Sequence, residues 1–390
     1  MTPSTLAALI VIALFLLWKL DFIATLLTLK NLKPELPKEF SDVWNQEKYT
    51  KSQAYERDGA KSGIISSIVS LAVLLVFWFG GGFGWLDHWV RSFGFGEIIT
   101  GIFYVGFLFL ASTLISLPFD IHHTFVHEEK FGFNKTTPAT FAGDQIKNLI
   151  LAAVLGIPLI ALLLWLFQEV PNAWFYAWIA VTTLSLLLTF LAPSLILPLF
   201  NKFTPMEEGE LKTAIEEMAK KCDFPLVGLF VIDGSKRSTK SNAYFTGFGK
   251  FKKIALYDTL IESQSTEELV GVLAHEIGHF KKKHIIQRIV LSIIQTALIF
   301  FLLGLVTSPD SAFAKTLFAA FQVEQISFYV GLVIFFILFK PVSRLISIGL
   351  SMLSRKHEFE ADHYARTVQG TPEHLSICLL YTSPSPRDRG

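Results

Sequence analysis

The stretch His275-Glu276-Ile277-Gly278-His279 contains the residue types of a catalytic zinc site. Two histidines four positions apart on a helix project from one face, where their ring nitrogens can bind the same metal ion. The glutamate between them, Glu276, can serve as the general base that takes a proton from the attacking water. The alternative is an ordinary helix with two surface histidines, because so short a pattern also occurs by chance.

The segment before this motif has the pattern of a helix that would position both histidines. Thr266 is suited to cap the helix, and apolar residues recur at helical spacing up to Ala274. Side chains at positions i and i+4 of a helix lie on the same face. We therefore expect the motif to lie on a helix, with both histidines on one side of it.

A catalytic zinc ion usually takes three protein ligands, so the two histidines need one more. Candidates lie in the charged segment 355–363, where Glu358 and Asp362 are four positions apart and share a helix face. We predict that Glu358 binds the metal while Asp362 orients a ligating histidine. The alternative is a solvated charged face. We assign to the surface or to an interface the other candidates of this segment, His357, Glu360 and His363.

Three short segments rich in strand-forming residues precede the histidine motif: 226–232, 242–249 and 253–257. They predict a small sheet beside the metal-binding helix. An edge strand in this position can hold an extended peptide through main-chain hydrogen bonds. We assign this role to Asn242, Ala243 and Tyr244; the alternative is a strand with a purely structural role.

Composition places these elements in a membrane protein, since 52% of the 390 residues are hydrophobic and 17% are charged. A membrane-spanning helix needs about 20 predominantly apolar residues. The first of the qualifying stretches contains Lys19 and Asp21, which need a partner or an aqueous surface within the membrane. The predicted fold is mainly α, a multi-pass membrane protein with a small α+β metal-binding element. Seven stretches qualify as spans, at approximately residues 4–29, 64–86, 98–119, 147–168, 173–199, 285–307 and 325–350.

The distribution of Lys and Arg predicts the orientation of these spans. The loop after the first span holds seven such residues and residues 200–284 hold thirteen, whereas the loop around Pro171 holds none. Basic and weakly basic loops alternate along the chain, so we expect the metal site on the cytoplasmic side. The net charge of +1 argues against a nucleic-acid partner and leaves the lipid bilayer as the expected environment.

The cysteines and the remaining histidine cluster do not predict a second metal site. Two cysteines, Cys222 and Cys378, are too few for a disulfide framework or a cysteine-rich zinc site. His122, His123 and His127 lie in a predicted loop between two spans and lack a regular ligand spacing. We therefore expect one metal ion per chain.

Longer motifs extend over most of the chain and carry a resemblance to a known family. Besides the histidine motif they are Glu128–Thr137, Asn201–Pro205, Asn242–Phe248 and Glu358–Asp362. With these motifs the chain resembles, over nearly all of residues 1–377, the integral-membrane zinc metalloproteases called CAAX prenyl protease 1.

The resemblance implies seven helices around a large water-filled chamber inside the membrane. It implies one zinc ion at the cytoplasmic end of the chamber, with His275, His279 and Glu358 as ligands and Glu276 as the base. It also implies cleavage of peptide or protein substrates near the C-terminus, after prenylation in eukaryotic members. Residues 1–204 would form a five-span membrane domain and residues 205–377 the zinc peptidase domain.

Two other functions stay open on the sequence. One is a zinc protease that removes damaged membrane proteins, although its smaller heat-shock relatives have fewer spans than this chain. The other is a transport or lipid-binding membrane protein with a vestigial site. Zinc binding and dependence of catalysis on Glu276 would separate an enzyme from this last alternative.

The segment 378–390 is similar to a translated sequencing adapter, and we expect it to be foreign to the protein. The alternative is a natural proline-rich disordered tail. The family continues beyond the Asp362 helix with a His-Pro-Pro element that is not found here, so we expect a longer natural chain. Adapter sequence is typical of shotgun assembly, which favours a bacterial inner membrane over the endoplasmic reticulum.

Overall fold

A computed structural model describes residues 1–38, 41, 45–246, 252–308 and 311–369. The segment 378–390 and the end of the predicted strand 242–249 lie outside the described residues. A π-helical turn, His123–Glu128, continues the fourth helix. The strands are β1 (Phe203–Pro205), β2 (Leu226–Ile232), β3 (Ala243–Thr246) and β4 (Lys252–Tyr257). The helices are α1 (Pro3–Asn31), α2 (Gln46–Phe79), α3 (Gly82–Arg91), α4 (Glu97–His122), α5 (Pro138–Glu169), α6 (Ala173–Leu195), α7 (Leu197–Phe200), α8 (Glu210–Lys221), α9 (Asp258–Ser263), α10 (Thr266–Lys281), α11 (His284–Val306), α12 (Ala312–Ala320) and α13 (Phe328–Gln369).

Among the described residues, seven helical segments are long and apolar enough to cross a membrane, which confirms the predicted number. They are α1, α2, α4 with its π turn, α5, α6 with α7, α11 and α13. The second span differs from the prediction at both ends. Its helix begins at Gln46 with a polar stretch that hydropathy does not detect, and it ends at Phe79 because Gly81 adopts a left-handed conformation with φ 72°.

Two apolar cores hold the spans together. The first core contains residues of α1, α2, α3, α4, α12 and α13. In this core the Trp78 ring stacks on Phe321 with 4.1 Å between ring centroids. The Trp78 indole N–H also donates to the Ala320 carbonyl oxygen at 2.9 Å. The second core joins α5, α6, α11 and α13. The spans nevertheless bury only 0% to 28% of their most apolar windows, as expected of helices that face lipid.

An ion pair inside the membrane region links the first and last spans. Arg344 Nη2 on α13 lies 2.5 Å from Asp21 Oδ1 on α1. A charged side chain in a span is stable only with a partner or water, and Arg344 provides the partner that Asp21 requires.

The strands form one four-stranded sheet in the order β1-β2-β4-β3, which confirms the predicted small sheet. β2 and β4 are parallel, whereas β1 and β3 pair antiparallel with their neighbours. One core packs this sheet against α8 and α10, with Ile215, Leu229, Ile254, Leu273 and Ile277 among its buried residues. The sheet therefore supports the helix that carries the histidine motif.

Candidate metal centre

α10 carries the histidine motif and begins with a capping box. The Ser265 hydroxyl accepts a hydrogen bond from the Glu268 backbone N–H at 3.3 Å, and the Glu268 carboxylate accepts one from the Ser265 N–H at 2.8 Å. The cap is therefore Ser265, and the predicted cap Thr266 is the first residue of the helix. His275 and His279 follow in the last two turns.

α10 and α13 approach each other closely at Gly278. A β-carbon at Gly278 would lie 3.0 Å from both the Cα and the carbonyl oxygen of Ala361, so a larger residue requires the backbone to move. Because α13 also carries Glu358 and Asp362, this contact sets their distance from the histidines of α10.

The three predicted metal ligands meet at one point. His275 Nε2 lies 3.1 Å from His279 Nε2 and 3.3 Å from Glu358 Oε2, and His279 Nε2 lies 3.7 Å from Glu358 Oε2. Ligand atoms bound at about 2.0–2.2 Å to one tetrahedral ion lie roughly 3.3–3.6 Å from each other. The observed distances, 3.1–3.7 Å, are close to this range, so the three groups could share one metal ion, and His275 is only 5% exposed.

Asp362 holds His275 in the orientation that this site needs. Its Oδ1 lies 2.8 Å from His275 Nδ1, so the Nδ1–H donates to the carboxylate and Nε2 faces the other ligand atoms. Burial lowers the pKa of His275, but hydrogen bonds to Asp362 and Glu358 outweigh burial and raise the pKa to about 9.

A longer chain of hydrogen bonds holds His279, and the sequence analysis missed it. His279 Nδ1 lies 2.9 Å from His284 Nδ1, and His284 Nε2 lies 2.9 Å from Glu360 Oε2. With Nε2 of His279 free for a metal, its Nδ1–H donates to His284, whose Nε2–H donates to Glu360. Each metal-facing histidine is thus oriented by a carboxylate, directly by Asp362 for His275 and through His284 for His279.

The turn between α10 and α11 brings His284 back to His279. Lys283 adopts a left-handed conformation with φ 58°, so α11 starts at His284 beside the end of α10. The His284 ring stacks on His357 with 3.9 Å between centroids, and each of these two residues is 1% exposed. Of the residues assigned to the surface or an interface, His357 is buried between α11 and α13, Glu360 is partly exposed, and His363 is exposed.

Glu276 has the environment of a group that can exchange a proton. Burial raises the pKa of its carboxyl, the nearby His275 and His279 oppose this, and the negative charge of Glu358 adds to it. The net effect is a raised pKa, which suits a base that must take up a proton and return it.

The residues predicted to hold a peptide lie at the edge of the sheet. Among the described residues, β3 is the last strand in the order of the sheet and pairs with β4 alone, from Ala243 opposite Leu256 to Thr246 opposite Lys253. Asn242 precedes β3, and its carbonyl oxygen accepts a hydrogen bond from the Tyr257 N–H at 3.0 Å. The Tyr244 and Tyr257 hydroxyls lie 3.2 Å apart. β3 is thus an edge strand whose Ala243 and Phe245 pack against the core of α10.

Known proteins share this architecture. Residues 25–202 match the family model described as CAAX prenyl protease N-terminal, five membrane helices, and residues 205–374 match that of Peptidase family M48. The CAAX prenyl protease 1 of Saccharomyces cerevisiae is 37% identical over 376 residues, which cover 90% of this chain and 82% of the relative. The chain belongs to the CAAX prenyl protease 1 family.

Other members of the CAAX prenyl protease 1 family agree with this assignment. The homolog of Homo sapiens is 34% identical over 394 residues, covering 88% of this chain and 81% of the relative. The crystal structure of S. mikatae Ste24p superposes with a TM-score of 0.87 at 35% identity, covering 98% of this chain and 92% of that chain. The predicted family and fold class are confirmed, and the chain is a membrane metalloprotease.

A family M48 peptidase uses a catalytic metal ion, and the donor set of this chain fits one. His275, His279 and Glu358 offer two imidazole nitrogens and one carboxylate oxygen, all within 4.8 Å of one another. Two histidines and a glutamate are one of the ligand sets of catalytic zinc sites.

A second group of potential ligands lies among the described residues of the membrane part, formed by His123, His127 and Glu128. All three residues lie in the π-helical turn that continues α4, not in the predicted loop. Glu128 Oε1 accepts hydrogen bonds from the Tyr55 hydroxyl at 2.6 Å and from Lys240 Nζ at 3.0 Å. The Lys240 ammonium already supplies a positive charge there, so the group ties the membrane helices to the segment before β3.

Proposed function

We propose that this chain is a zinc-dependent endopeptidase that cleaves peptide bonds near the C-terminus of prenylated or other hydrophobic peptides. The convergence of His275 Nε2, His279 Nε2 and Glu358 Oε2 within 3.1–3.7 Å of each other carries the proposal. The names of the relatives, CAAX prenyl protease 1, support the class of substrate.

In this proposal His275, His279 and Glu358 hold one zinc ion per chain, and Asp362 orients His275. When bound, zinc supplies Lewis-acid chemistry that acidifies water and polarises a carbonyl group. Glu276 takes the proton from the attacking water and passes it to the leaving amine. The raised pKa of Glu276 supports the first transfer, because a carboxylate whose pKa is raised is a stronger base toward the attacking water.

The substrate binds as an additional strand along β3. Asn242, Ala243 and Tyr244 hold it through main-chain hydrogen bonds, as extended peptides bind to the edges of other sheets. The position of β3 at the sheet edge, packed against α10, supports this assignment. In this proposal a chamber between the spans accommodates the apolar or lipidated part of the substrate. The boundary between the membrane domain and the peptidase domain falls near residue 204.

The metal site lies on the cytoplasmic side in this proposal, since thirteen Lys and Arg residues occur in residues 200–284. We place the protein in a bacterial inner membrane, with the endoplasmic reticulum membrane as the location in a eukaryotic cell. Protease access to loops in oriented vesicles would test the side.

The test of the proposal compares the parent chain with Glu276→Gln after purification in detergent. Zinc content and cleavage of a farnesylated C-terminal peptide and its unfarnesylated counterpart are measured. We expect one zinc per chain in both proteins and a loss of cleavage in Glu276→Gln, because glutamine binds no proton at the reacting water. A matched control is Glu262→Gln, which removes an exposed carboxylate on α9 and should cleave like the parent.

Cleavage by Glu276→Gln at the parent rate would refute the role of Glu276, and absence of zinc would refute the ligand assignment. Preference for the farnesylated peptide supports prenyl processing. Equal cleavage of both peptides favours the alternative of a protease for damaged membrane proteins. Zinc without any cleavage favours a transport or lipid-binding function.

A further inference from the structure

An open groove lies between the turn that follows α10 and the C-terminal half of α13. Its volume is 710 Å³. The side chains that matter here are three cations, two large apolar groups and one acid: Lys282, Arg355, Lys356, Met352, Phe359 and Glu360.

The groove lies at the level where the chain enters the membrane. His284 is the first residue of the membrane-spanning helix α11, and its ring stacks on His357 of α13 at 3.9 Å. The part of α13 around His357 is therefore level with the end of a span. α13 has 42 residues and, at about 1.5 Å per residue, is far longer than the roughly 30 Å hydrocarbon core, so its C-terminal half emerges here.

The lining combines charge and apolar surface in the way a lipid headgroup requires. Met352 is 62% exposed and Phe359 is 74% exposed, although both are large and apolar. Three cations face one acid, Glu360, whose carboxylate is already bound to His284 at 2.9 Å and lies 3.8 Å from Lys356. The groove thus has an excess of positive charge next to exposed apolar groups at a membrane boundary.

We propose that this groove binds an anionic phospholipid of the adjacent leaflet. The phosphate lies among Lys282, Arg355 and Lys356, and the beginning of an acyl chain lies on Met352 and Phe359. Anionic lipids are attracted to clusters of Lys and Arg at the ends of spans, and basic pockets beside membrane helices bind lipid headgroups. The charge complementarity and the exposed apolar pair select a lipid over a soluble phosphate compound.

The test uses the delipidated full chain in detergent and measures binding by native mass spectrometry. The probes are dihexanoyl phosphatidylglycerol, dihexanoyl phosphatidylcholine and glycerol 3-phosphate. The groove variant is Lys282→Gln/Arg355→Gln/Lys356→Gln. Its matched control, Lys30→Gln/Lys33→Gln/Lys38→Gln, removes the same charge from exposed lysines elsewhere. A further variant, Met352→Ser/Phe359→Ser, keeps all charges of the groove and remains informative if the first variant does not fold.

We expect phosphatidylglycerol to bind the parent and the control on the order of 100-fold more tightly than the groove variant, given the usual contribution of three basic residues near a membrane surface. Phosphatidylcholine should bind weakly to all. The serine variant should lose the preference for phosphatidylglycerol over glycerol 3-phosphate. If the groove variant and its control lost the same affinity for phosphatidylglycerol, the attraction would come from the overall positive charge and not from the groove. If the parent bound glycerol 3-phosphate as tightly as phosphatidylglycerol, the groove would be a site for soluble anions. Either result overturns the proposal.

Discussion

Replacing His284 with alanine is expected to weaken zinc binding although His284 does not face the metal. The change removes the partner of His279 Nδ1 at 2.9 Å and the partner of Glu360 at the same distance. Partners that orient metal-binding histidines contribute about 10–100-fold to metal affinity. This corresponds to about 1.4–2.8 kcal/mol. Because His284 is 1% exposed, bulk water does not readily replace the lost bond, so we expect the upper half of this range.

The assay is a competition for zinc between the purified chain and a chelator of known affinity. His88→Ala is the matched control, since His88 has a side chain that is 63% exposed and pairs with the exposed Glu324. It should bind zinc as the parent does. His284→Gln, which can restore one hydrogen bond to His279, should recover part of the affinity.

A double-mutant cycle separates orientation from a general loss of structure. Glu360 reaches His279 only through His284 in the hydrogen-bonded chain, so adding Glu360→Gln to His284→Ala should cost little further affinity. Losses that simply add would show that the two residues act independently. Parent-like zinc affinity in His284→Ala would refute the argument outright.

Two further predictions concern pH and packing. His275 has a pKa of about 9 in the metal-free chain against 6.5 ordinarily, so its contribution to stability is complete below about pH 6.5 and is lost as the pH rises through 9. Thermal unfolding in the presence of a chelator should show this loss of stability between pH 6.5 and pH 9.5. Bound zinc takes the place of the proton on His275 and should abolish the pH dependence. Greater stability of the metal-free chain at pH 9.5 than at pH 6.5 would contradict the raised pKa of His275. Gly278→Ala should lower the free energy of unfolding by about 1–3 kcal/mol because the new methyl group meets Ala361 at 3.0 Å. Gly349→Ala, where nothing lies within 4 Å, should be neutral or slightly stabilising by the same measurement, and equal effects would show that close packing is not the cause.

The membrane spans and the convergence of His275, His279 and Glu358 were predictable because each depends on a local pattern. Long apolar stretches predict spans through their length alone, and His275 and His279 are brought together by one helical turn. Glu358 is 79 positions beyond His279, yet it shares a recognisable helix face with Asp362. The polar first half of α2 escaped prediction because hydropathy reports lipid contact and not helicity.

The hydrogen-bonded chain behind His279 was not predictable from the sequence. A histidine after three lysines at the start of a span resembles an ordinary interfacial residue. Its contact with His279 depends on the left-handed conformation of Lys283, and its contact with Glu360 depends on how α13 packs. Likewise, a local pattern predicts the strand at Ala243, whereas the edge position assumed for it depends on the order of all four strands, which no local pattern determines.

α13 is so long that a small tilt at one of its ends would produce a large displacement at the other end. Glu358 lies 30 residues beyond Phe328 in one continuous helix, which is about 45 Å of rise. A rigid tilt of about 2° around the Phe328 end would therefore displace the Glu358 carboxylate by roughly 1.5 Å, more than an active-site geometry tolerates. Spanning helices adjust their tilt to the thickness of the bilayer. We therefore expect a change in bilayer thickness that tilts α13 to move Glu358 relative to α10, and the close contact of Gly278 with Ala361 to oppose this movement.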